Sequence, residues 1–234
     1  MKVVVFTDVH GSLNSLKAFM DLEDFKTADK IVFLGDVSLG CSRANECIDL
    51  LKTIDCVCLL GNNDGYVADH IPEVDRAEFD NVKLEMIDWM RGHISDANKD
   101  YMKSWPREYY MNINGKVLYF THYVWENCNN DINVIDSPKT KDLSSRKEMF
   151  KDIKADYIIF GHEHKPSYFV DNDRHYYCLD TMGLKCPGAY LVINARGDKI
   201  KLEEKFVDFD INEEIDLMDK AGYKYNKSKI KRTK

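Results

Sequence analysis

The sequence predicts an α/β protein whose core is a sandwich of two β-sheets flanked by helices. Five short apolar runs, rich in β-branched or aromatic residues, have the length of buried strands, and helix-like segments separate the first three. Two hairpin patterns nearer the C-terminal end supply further strands and imply a second sheet. With 234 residues, 44% of them hydrophobic, the chain suits a single domain over 1–234 with a sizeable core.

The first half of the chain predicts parallel strands joined by helices. The five predicted strands are VVVF (3–6), IVFL (31–34), VCLL (57–60), VLYF (117–120) and YIIF (157–160). Ser12 is placed to cap a first helix, and Ser42 a second that runs through Leu51. The first helix would carry its apolar side chains on one face, namely Leu13, Leu16, Phe19 and Met20. This alternation of strand and helix predicts a largely parallel sheet.

Residues 66–105 show no strand pattern and predict a helical insertion or cap over one edge of the core. Apolar residues at helical spacing predict a helix over 82–94, and a shorter helix over 98–105 is stopped by Pro106. Farther on, SYFVDNDRHYYCLD (167–180) predicts a hairpin that turns at DND, and AYLVINARGDKIKLEEKF (189–206) predicts a second that turns at RGD. Residues 211–234 then predict a final helix over 211–222 and a basic tail.

Charge and composition restrict the class of partner. The formal net charge is −7, so the surface should repel a nucleic-acid polymer. Six basic residues and no acids lie between Lys224 and Lys234, and we interpret this tail as a solvated end. No apolar run is long enough for a membrane span, and the N-terminal run is too short for a signal peptide. The seven cysteines form no CxxC pair, which is typical of reduced thiols in a cytoplasmic protein.

Each of the five predicted strands is followed at once by side chains that can bind a metal ion or a phosphate. A single histidine at a strand end would mean little, because most such residues are ordinary polar residues. Here, however, five strand ends share the feature, and the loops at the carboxyl ends of strands in an α/β sheet converge on one crevice. The residues concerned are Asp8, His10, Asp36, Asn62, Asn63, Asp64, His122, His162 and His164.

As a set, these blocks resemble the motifs of the calcineurin-like metallophosphoesterases. They are DVH (8–10), GD (35–36), GNND (61–64), TH (121–122) and GHEH (161–164), and LGDVSLGCSRANECIDLL (34–51) is similar to the bacterial phosphodiesterase-type branch. The resemblance implies a four-layer α/β/β/α fold and two bound metal ions. Asp8, His10 and His164 would hold one ion. Asn62, His122 and His162 would hold the other, and Asp36 would bridge the two.

The resemblance also implies a reaction. Two divalent ions would clamp a phosphate, and a hydroxide bridging them would attack phosphorus in line. Imidazole and carboxylate ligands suit Mn, Fe, Zn or Ni better than Mg or Ca, and we place Mn first. We therefore expect a cytoplasmic, binuclear, metal-dependent phosphoesterase, a phosphodiesterase foremost, that acts on a small phosphodiester or nucleotide-like substrate. Its oligomeric state is left open.

One departure from the family pattern concerns residue 63. Many members have a histidine there that contacts the phosphate and assists the leaving group, and Asp64 would orient it. Asn63 can donate a hydrogen bond but cannot transfer a proton at neutral pH. Arg43 is placed to contact phosphate, and His70 or His93 of the cap could approach the substrate, although ordinary surface or packing roles are commoner for all three.

Two alternatives to a phosphoesterase of small substrates stay open at this point. A metal-binding scaffold that works through protein contacts could share the same fold. All seven ligand positions are filled, however, and this favours the enzyme. A nuclease acting on nucleic-acid polymers is disfavoured by the acidic body of the protein and by the lack of a basic groove pattern.

Overall fold

The computed structural model describes residues 1–128, 131–135, 143–225 and 227–233. The described strands are β1 Lys2–Phe6, β2 Lys30–Phe33, β3 Cys56–Cys58, β4 Glu108–Ile113, β5 Lys116–Thr121, β6 Trp125–Cys128, β7 Asp131–Ile135, β8 Tyr157–Phe160, β9 Ser167–Asp171, β10 Arg174–Cys178, β11 Lys185–Cys186, β12 Gly188–Arg196, β13 Lys199–Val207 and β14 Lys231–Arg232. The described α-helices are α1 Leu13–Met20, α2 Glu23–Lys26, α3 Ala44–Leu51, α4 Asn62–Ala68, α5 Glu73–Glu78, α6 Asn81–His93, α7 Asp96–Lys103, α8 Leu143–Met149 and α9 Ile211–Lys220.

The first sheet contains the parallel strands that the sequence predicts. Its order is β13-β12-β1-β2-β3, and β1, β2 and β3 pair in parallel, with Val4 opposite Ile31 and Ile31 opposite Cys56. The carboxyl ends of these three strands therefore lie at one edge. All five apolar runs predicted as strands are confirmed, although β3 is shorter than its run and ends at Cys58.

The second sheet has the order β4-β5-β8-β10-β9, and β8 pairs in parallel with both β5 and β10. The hairpin of β9 and β10 is confirmed, with Asn172 and Asp173 at positive φ in its turn. The hairpin of β12 and β13 is also confirmed, but its inferred place in a second sheet was wrong, because β12 pairs with β1 in the first sheet. Burial explains this placement: Leu191, Val192 and Ile193 are consecutive and fully buried, so β12 needs cover on both faces.

The two sheets and the helices form four layers, α/β/β/α, as the resemblance implies. Alternate residues of β1 show the arrangement, since Val3 and Val5 pack between the sheets whereas Val4 and Phe6 pack against helices. Helices α1, α3, α6, α7 and α9 contribute to this helical layer on the first sheet. Phe150, which follows α8, packs against the second sheet on the other side.

Residues 66–105 are helical as predicted, from α4 to α7, with α6 and α7 close to their predicted bounds. Their role as an insertion or cap over the core stays a prediction. Their buried side chains join the core of the first sheet's helical layer, and they include Met86, Ile87, Met90 and Met102. Helix α4 begins at Asn62, so the GNND block is the first turn of a helix. None of the helices in the described ranges is long and apolar enough to cross a bilayer.

Three local expectations need correction. Ser12 lies at the N-cap of α1, but its hydroxyl donates to Glu214 instead of capping the helix. Helix α3 begins after Arg43, so Ser42 is not its cap residue. The basic tail is not simply a solvated end, because Ile230 is buried and β14 pairs with β11.

Candidate metal centre

The loops that follow β1, β2 and β8 hold their polar residues in an unusual backbone conformation. Asp8, His10, Asp36, His162 and His164 have φ values of 55°, 52°, 61°, 68° and 50°. The left-handed region costs a residue with a Cβ atom roughly 1–2 kcal/mol. Such strain persists where the surrounding fold enforces it and is concentrated at functional sites. The backbone therefore marks five of the seven expected ligands.

Two glycines of the motifs allow carboxylates to approach the backbone closely. A Cβ atom on Gly61 would lie 2.1 Å from Oδ1 of Asp36. A Cβ atom on Gly161 would lie 2.3 Å from Oγ1 of Thr7 and 2.8 Å from Oδ2 of Asp8. Glycine at these positions is therefore required by the packing of the two aspartates.

Asp8, His10 and His164 form what we call the first group. Nε2 of His164 lies 2.9 Å from Oδ1 of Asp8 and 3.0 Å from Nε2 of His10. Nδ1 of His10 lies 2.9 Å from the carbonyl oxygen of Ser38, which can only accept, so Nδ1 carries the proton that it donates. In neutral His10 the lone pair of Nε2 then faces the other two residues. The three possible ligand atoms lie within 4.8 Å of one another.

Asp36, Asn62, His122 and His162 form the second group. Oδ1 of Asn62 lies 3.2 Å from Nε2 of His122 and 3.1 Å from Nδ1 of His162. Nε2 of His122 is also 3.4 Å from Oδ2 of Asp36. Nδ1 of His122 donates to the carbonyl oxygen of Leu34, at 3.1 Å, and this leaves Nε2 to face the oxygens. Backbone carbonyls orient metal-ligating histidines in the same way.

Both groups fit a divalent cation by the chemistry of their donors. Asp8, Asp36 and His122 are almost fully buried, at 0%, 1% and 0% exposure, so their charges need close compensation. Burial lowers the pKa of His122, but attraction to Asp36 outweighs it and raises that pKa to about 9. Burial raises the pKa of Asp36, and the opposing effect of His122 lowers it to about 2. A proton on His122 thus supplies the positive charge beside Asp36, and a bound metal ion would displace this proton.

The loops that carry the two groups are joined by hydrogen bonds. The backbone N–H of His10 donates to the carbonyl oxygen of Asp36 at 2.9 Å, and that of Asp8 to Gly35 at 2.9 Å. Their charges also interact: burial lowers the pKa of His10, but Asp8 and Asp36 together raise it. Asp36 lies with His122 and His162 in the second group, and its role as a bridge stays a prediction.

Residues 1–194 match the family model of the calcineurin-like phosphoesterase superfamily domain. The chain belongs to this superfamily. It is 28% identical over 120 residues to the uncharacterized protein MJ0912 of Methanocaldococcus jannaschii, a match that spans 51% of this chain and only 48% of that protein.

Two solved structures share the fold of this calcineurin-like protein over nearly its whole length. The first is a metallophosphoesterase from Sphaerobacter thermophilus, with a TM-score of 0.72 and 18% identity, covering 98% of this chain and 96% of that one. The second is the hypothetical protein PH1004 from Pyrococcus horikoshii, with a TM-score of 0.78 and 14% identity over the same shares. At these identities the likeness establishes the fold alone.

In this calcineurin-like protein, Asp64 braces the loop after β2. Its carboxylate accepts from the backbone N–H of Asp36 at 2.8 Å, and from the N–H and hydroxyl of Ser38 at 3.0 and 2.9 Å. Asp64 was expected to orient residue 63, but these hydrogen bonds join it to Asp36 and Ser38 instead. The side chain of Asn63 is instead held between Oδ2 of Asp36, to which it donates, and the ammonium of Lys83.

Three other sequence candidates lie outside the two groups. Nε of Arg43 is 2.5 Å from Oε1 of Glu46 in an ion pair at the start of α3, and its expected contact with phosphate stays a prediction. His70 is half exposed and pairs with Asp69. The ring of His93 stacks on that of Trp89, with centroids 3.6 Å apart.

A buried ion pair that the sequence did not reveal supports the loop of His162 and His164. Between these histidines, the buried carboxylate of Glu163 accepts from the hydroxyl of Tyr123 at 2.9 Å. It also accepts from Nε of Arg146 on α8, at 3.3 Å, and from Nη2 of the same residue. The only signal in the sequence was the place of Glu163 within the GHEH block.

Proposed function

We propose that this protein is a metal-dependent phosphoesterase that hydrolyses a small phosphodiester or nucleotide-like substrate. One observation carries the proposal: two buried groups of metal-type ligands lie side by side at the strand ends of the two sheets. Membership of the superfamily supports phosphoester hydrolysis as the reaction class. The acidic surface favours a small substrate over a nucleic-acid polymer.

The proposed ligands are those of the two groups, with Asp36 as the bridge. Two aspartates bring two negative charges against the four positive charges of two divalent ions, so the centre would keep a positive charge for a phosphate. When bound, the ions would supply Lewis-acid activation of water and of the phosphoryl oxygens. Mixed imidazole and carboxylate donors suit Mn, Fe, Zn or Ni, among which we place Mn first.

The chain's own residues would fix the geometry in which these ions work. The carbonyls of Ser38 and Leu34 hold His10 and His122 in the tautomer that leaves Nε2 available. Asn63 fixes Asp36 through both its backbone N–H and its side-chain amide. Because an amide cannot transfer a proton at neutral pH, we expect substrates whose leaving group departs as a stable anion to react fastest.

The test uses metal-stripped protein, reconstituted in turn with Mn, Fe, Zn, Ni or Mg, on bis(p-nitrophenyl) phosphate and p-nitrophenyl phosphate. Asp36→Asn should lower kcat by more than about 100-fold, since even residues behind metal ligands are worth 10–100-fold. Asp156→Asn is the control, because Asp156 pairs with Lys116 at the opposite end of β8 and should leave kcat unchanged. Metal binding without turnover on any ester would favour the scaffold instead.

A further inference from the structure

A lysine from the helical segment reaches the candidate metal centre. Lys83 belongs to the first turn of α6, and its ammonium donates to Oδ1 of Asn63 at 2.8 Å. The side-chain amide of Asn63 in turn donates to Oδ2 of Asp36. One amide therefore separates the ammonium from a carboxylate of the second group.

The ammonium of Lys83 is held in place. The backbone at Lys83 is fixed first, because its N–H donates to the carboxylate of Asp80, the N-cap residue of α6, at 2.8 Å. Its Nζ atom lies 5.9 Å from the ring centroid of Tyr66 and 5.6 Å from that of Phe79, within range of cation–π attraction. Lys83 is half-buried, and Tyr66 is buried. An ammonium fixed before a ligand arrives loses little conformational entropy when it binds one.

The position of this lysine is unfavourable for the helix itself. The first turn of a helix carries the positive end of the helix dipole, which disfavours cations. A residue that opposes the helix dipole in this way is expected where its side chain serves a functional site rather than the stability of the fold. The charge is instead useful beside the metal centre, where an anionic substrate would be held.

We propose that Lys83, whose ammonium is positioned by Oδ1 of Asn63, binds an anionic oxygen of the substrate beyond the phosphoryl group that reacts. The proposal rests on the proposed function and narrows it to substrates that carry a second phosphoryl group, such as nucleoside di- and triphosphates. Asn63 lies between the ammonium and Asp36, so the cation is one residue farther out than the second group. A charge-assisted hydrogen bond to a phosphate oxygen is within reach of such a side chain.

The other basic residues considered from the sequence have different partners. Arg43 pairs with Glu46, His70 pairs with Asp69, and Nδ1 of His93 donates to the carbonyl oxygen of Trp89. Lys83, by contrast, is connected to the metal centre through its contact with Asn63.

The experiment compares Lys83→Met and Lys83→Arg with a control, Lys103→Met. Lys103 belongs to the same helical segment and pairs with Asp100 on the surface of α7, at 2.6 Å. Each protein is loaded with metal, and kcat/KM is measured on bis(p-nitrophenyl) phosphate and on ATP. Calorimetry measures the affinity for inorganic pyrophosphate and the number of metal ions bound, independently of turnover.

Lys83→Met should lower kcat/KM on ATP and the affinity for pyrophosphate by about 10- to 100-fold, the worth of one charge-assisted hydrogen bond. Any loss of the same variant on bis(p-nitrophenyl) phosphate should be smaller than its loss on ATP by at least about tenfold, because that diester has no second phosphoryl group for Lys83 to bind. Lys83→Arg should keep most of the pyrophosphate affinity, and Lys103→Met should match the natural protein.

Equal losses on both substrates, or an unchanged pyrophosphate affinity, would overturn the role of Lys83. A natural protein that turns over no ester would instead overturn the proposed function. Pyrophosphate binding would still test Lys83 in that case, so the two failures are distinguishable.

Discussion

Breaking the buried ion pair between Arg146 and Glu163 should destabilise the protein strongly. The side chain of Arg146 is 10% exposed and that of Glu163 is 0% exposed, so Arg146→Met leaves a carboxylate buried without its cation. Removing one partner of a buried pair costs about 3–5 kcal/mol, whereas an exposed pair is worth at most about 1 kcal/mol. We expect a loss of about 3 kcal/mol, since Tyr123 still donates to Glu163.

The double variant Arg146→Met with Glu163→Gln should recover much of this loss. It removes both charges together, and the hydroxyl of Tyr123 can still donate to the oxygen of the new amide. We expect the double variant to cost less than about 2 kcal/mol, because replacing a whole buried pair is far cheaper than halving it. A single substitution more harmful than the double one is the signature of a buried, uncompensated charge.

Urea denaturation of the metal-free proteins measures these losses, provided that the m-value is unchanged. Lys147→Met is the matched control, because Lys147 lies on the same helix α8 and pairs with the partly exposed Asp171. It should cost less than about 1 kcal/mol. A loss below about 1 kcal/mol for Arg146→Met, or a double variant less stable than the single one, would refute the reasoning.

Three further predictions follow from single residues or segments. Asn63→His should flatten the dependence of kcat on leaving-group pKa, because general-acid help is worth about 10²–10⁴-fold for poor leaving groups; a flat dependence in the natural protein would contradict this. Burial raises the pKa of Glu214 and outweighs the opposing effect of the hydrogen bonds that it accepts from Asn14 and Ser12. Ionisation of Glu214 therefore lowers the free energy of unfolding as the pH rises above about 4.5. Glu214→Gln should gain on the natural protein in urea midpoint between pH 4.5 and pH 8, and a constant difference would exclude the effect. Truncation after Tyr223 should lower the melting temperature and leave kcat at saturating substrate unchanged; a large loss of kcat would show that the tail serves the chemistry.

The strand ends could be predicted from the sequence because their signal is local. Each buried run is short and apolar, and the polar ligands follow it directly, as with Asp8 after β1 and His162 after β8. Parallel pairing then brings the ends of β1, β2 and β3 to one edge without any long-range information. The division of the ligands into two groups came instead from the family resemblance, and Asp8, His10 and His164 lie together as it implies.

Contacts between distant segments could not be predicted in the same way. Lys83 is a polar residue on an amphipathic helix, and its sequence neighbours do not distinguish it from a solvated lysine. Arg146 and Glu163 are 17 residues apart and meet only through packing. The pairing of β12 with β1 joins opposite ends of the chain, and hairpin signals specify a turn without specifying the sheet that receives it.

The central claim is that each chain holds two metal ions at the strand ends. The most direct test is a crystal structure of the metal-loaded protein with anomalous scattering recorded at the absorption edge of the metal. We predict two peaks per chain a few ångströms apart, one among Asp8, His10 and His164 and the other among the second group, with Asp36 in contact with both. A single peak, or two peaks that Asp36 does not join, would contradict it.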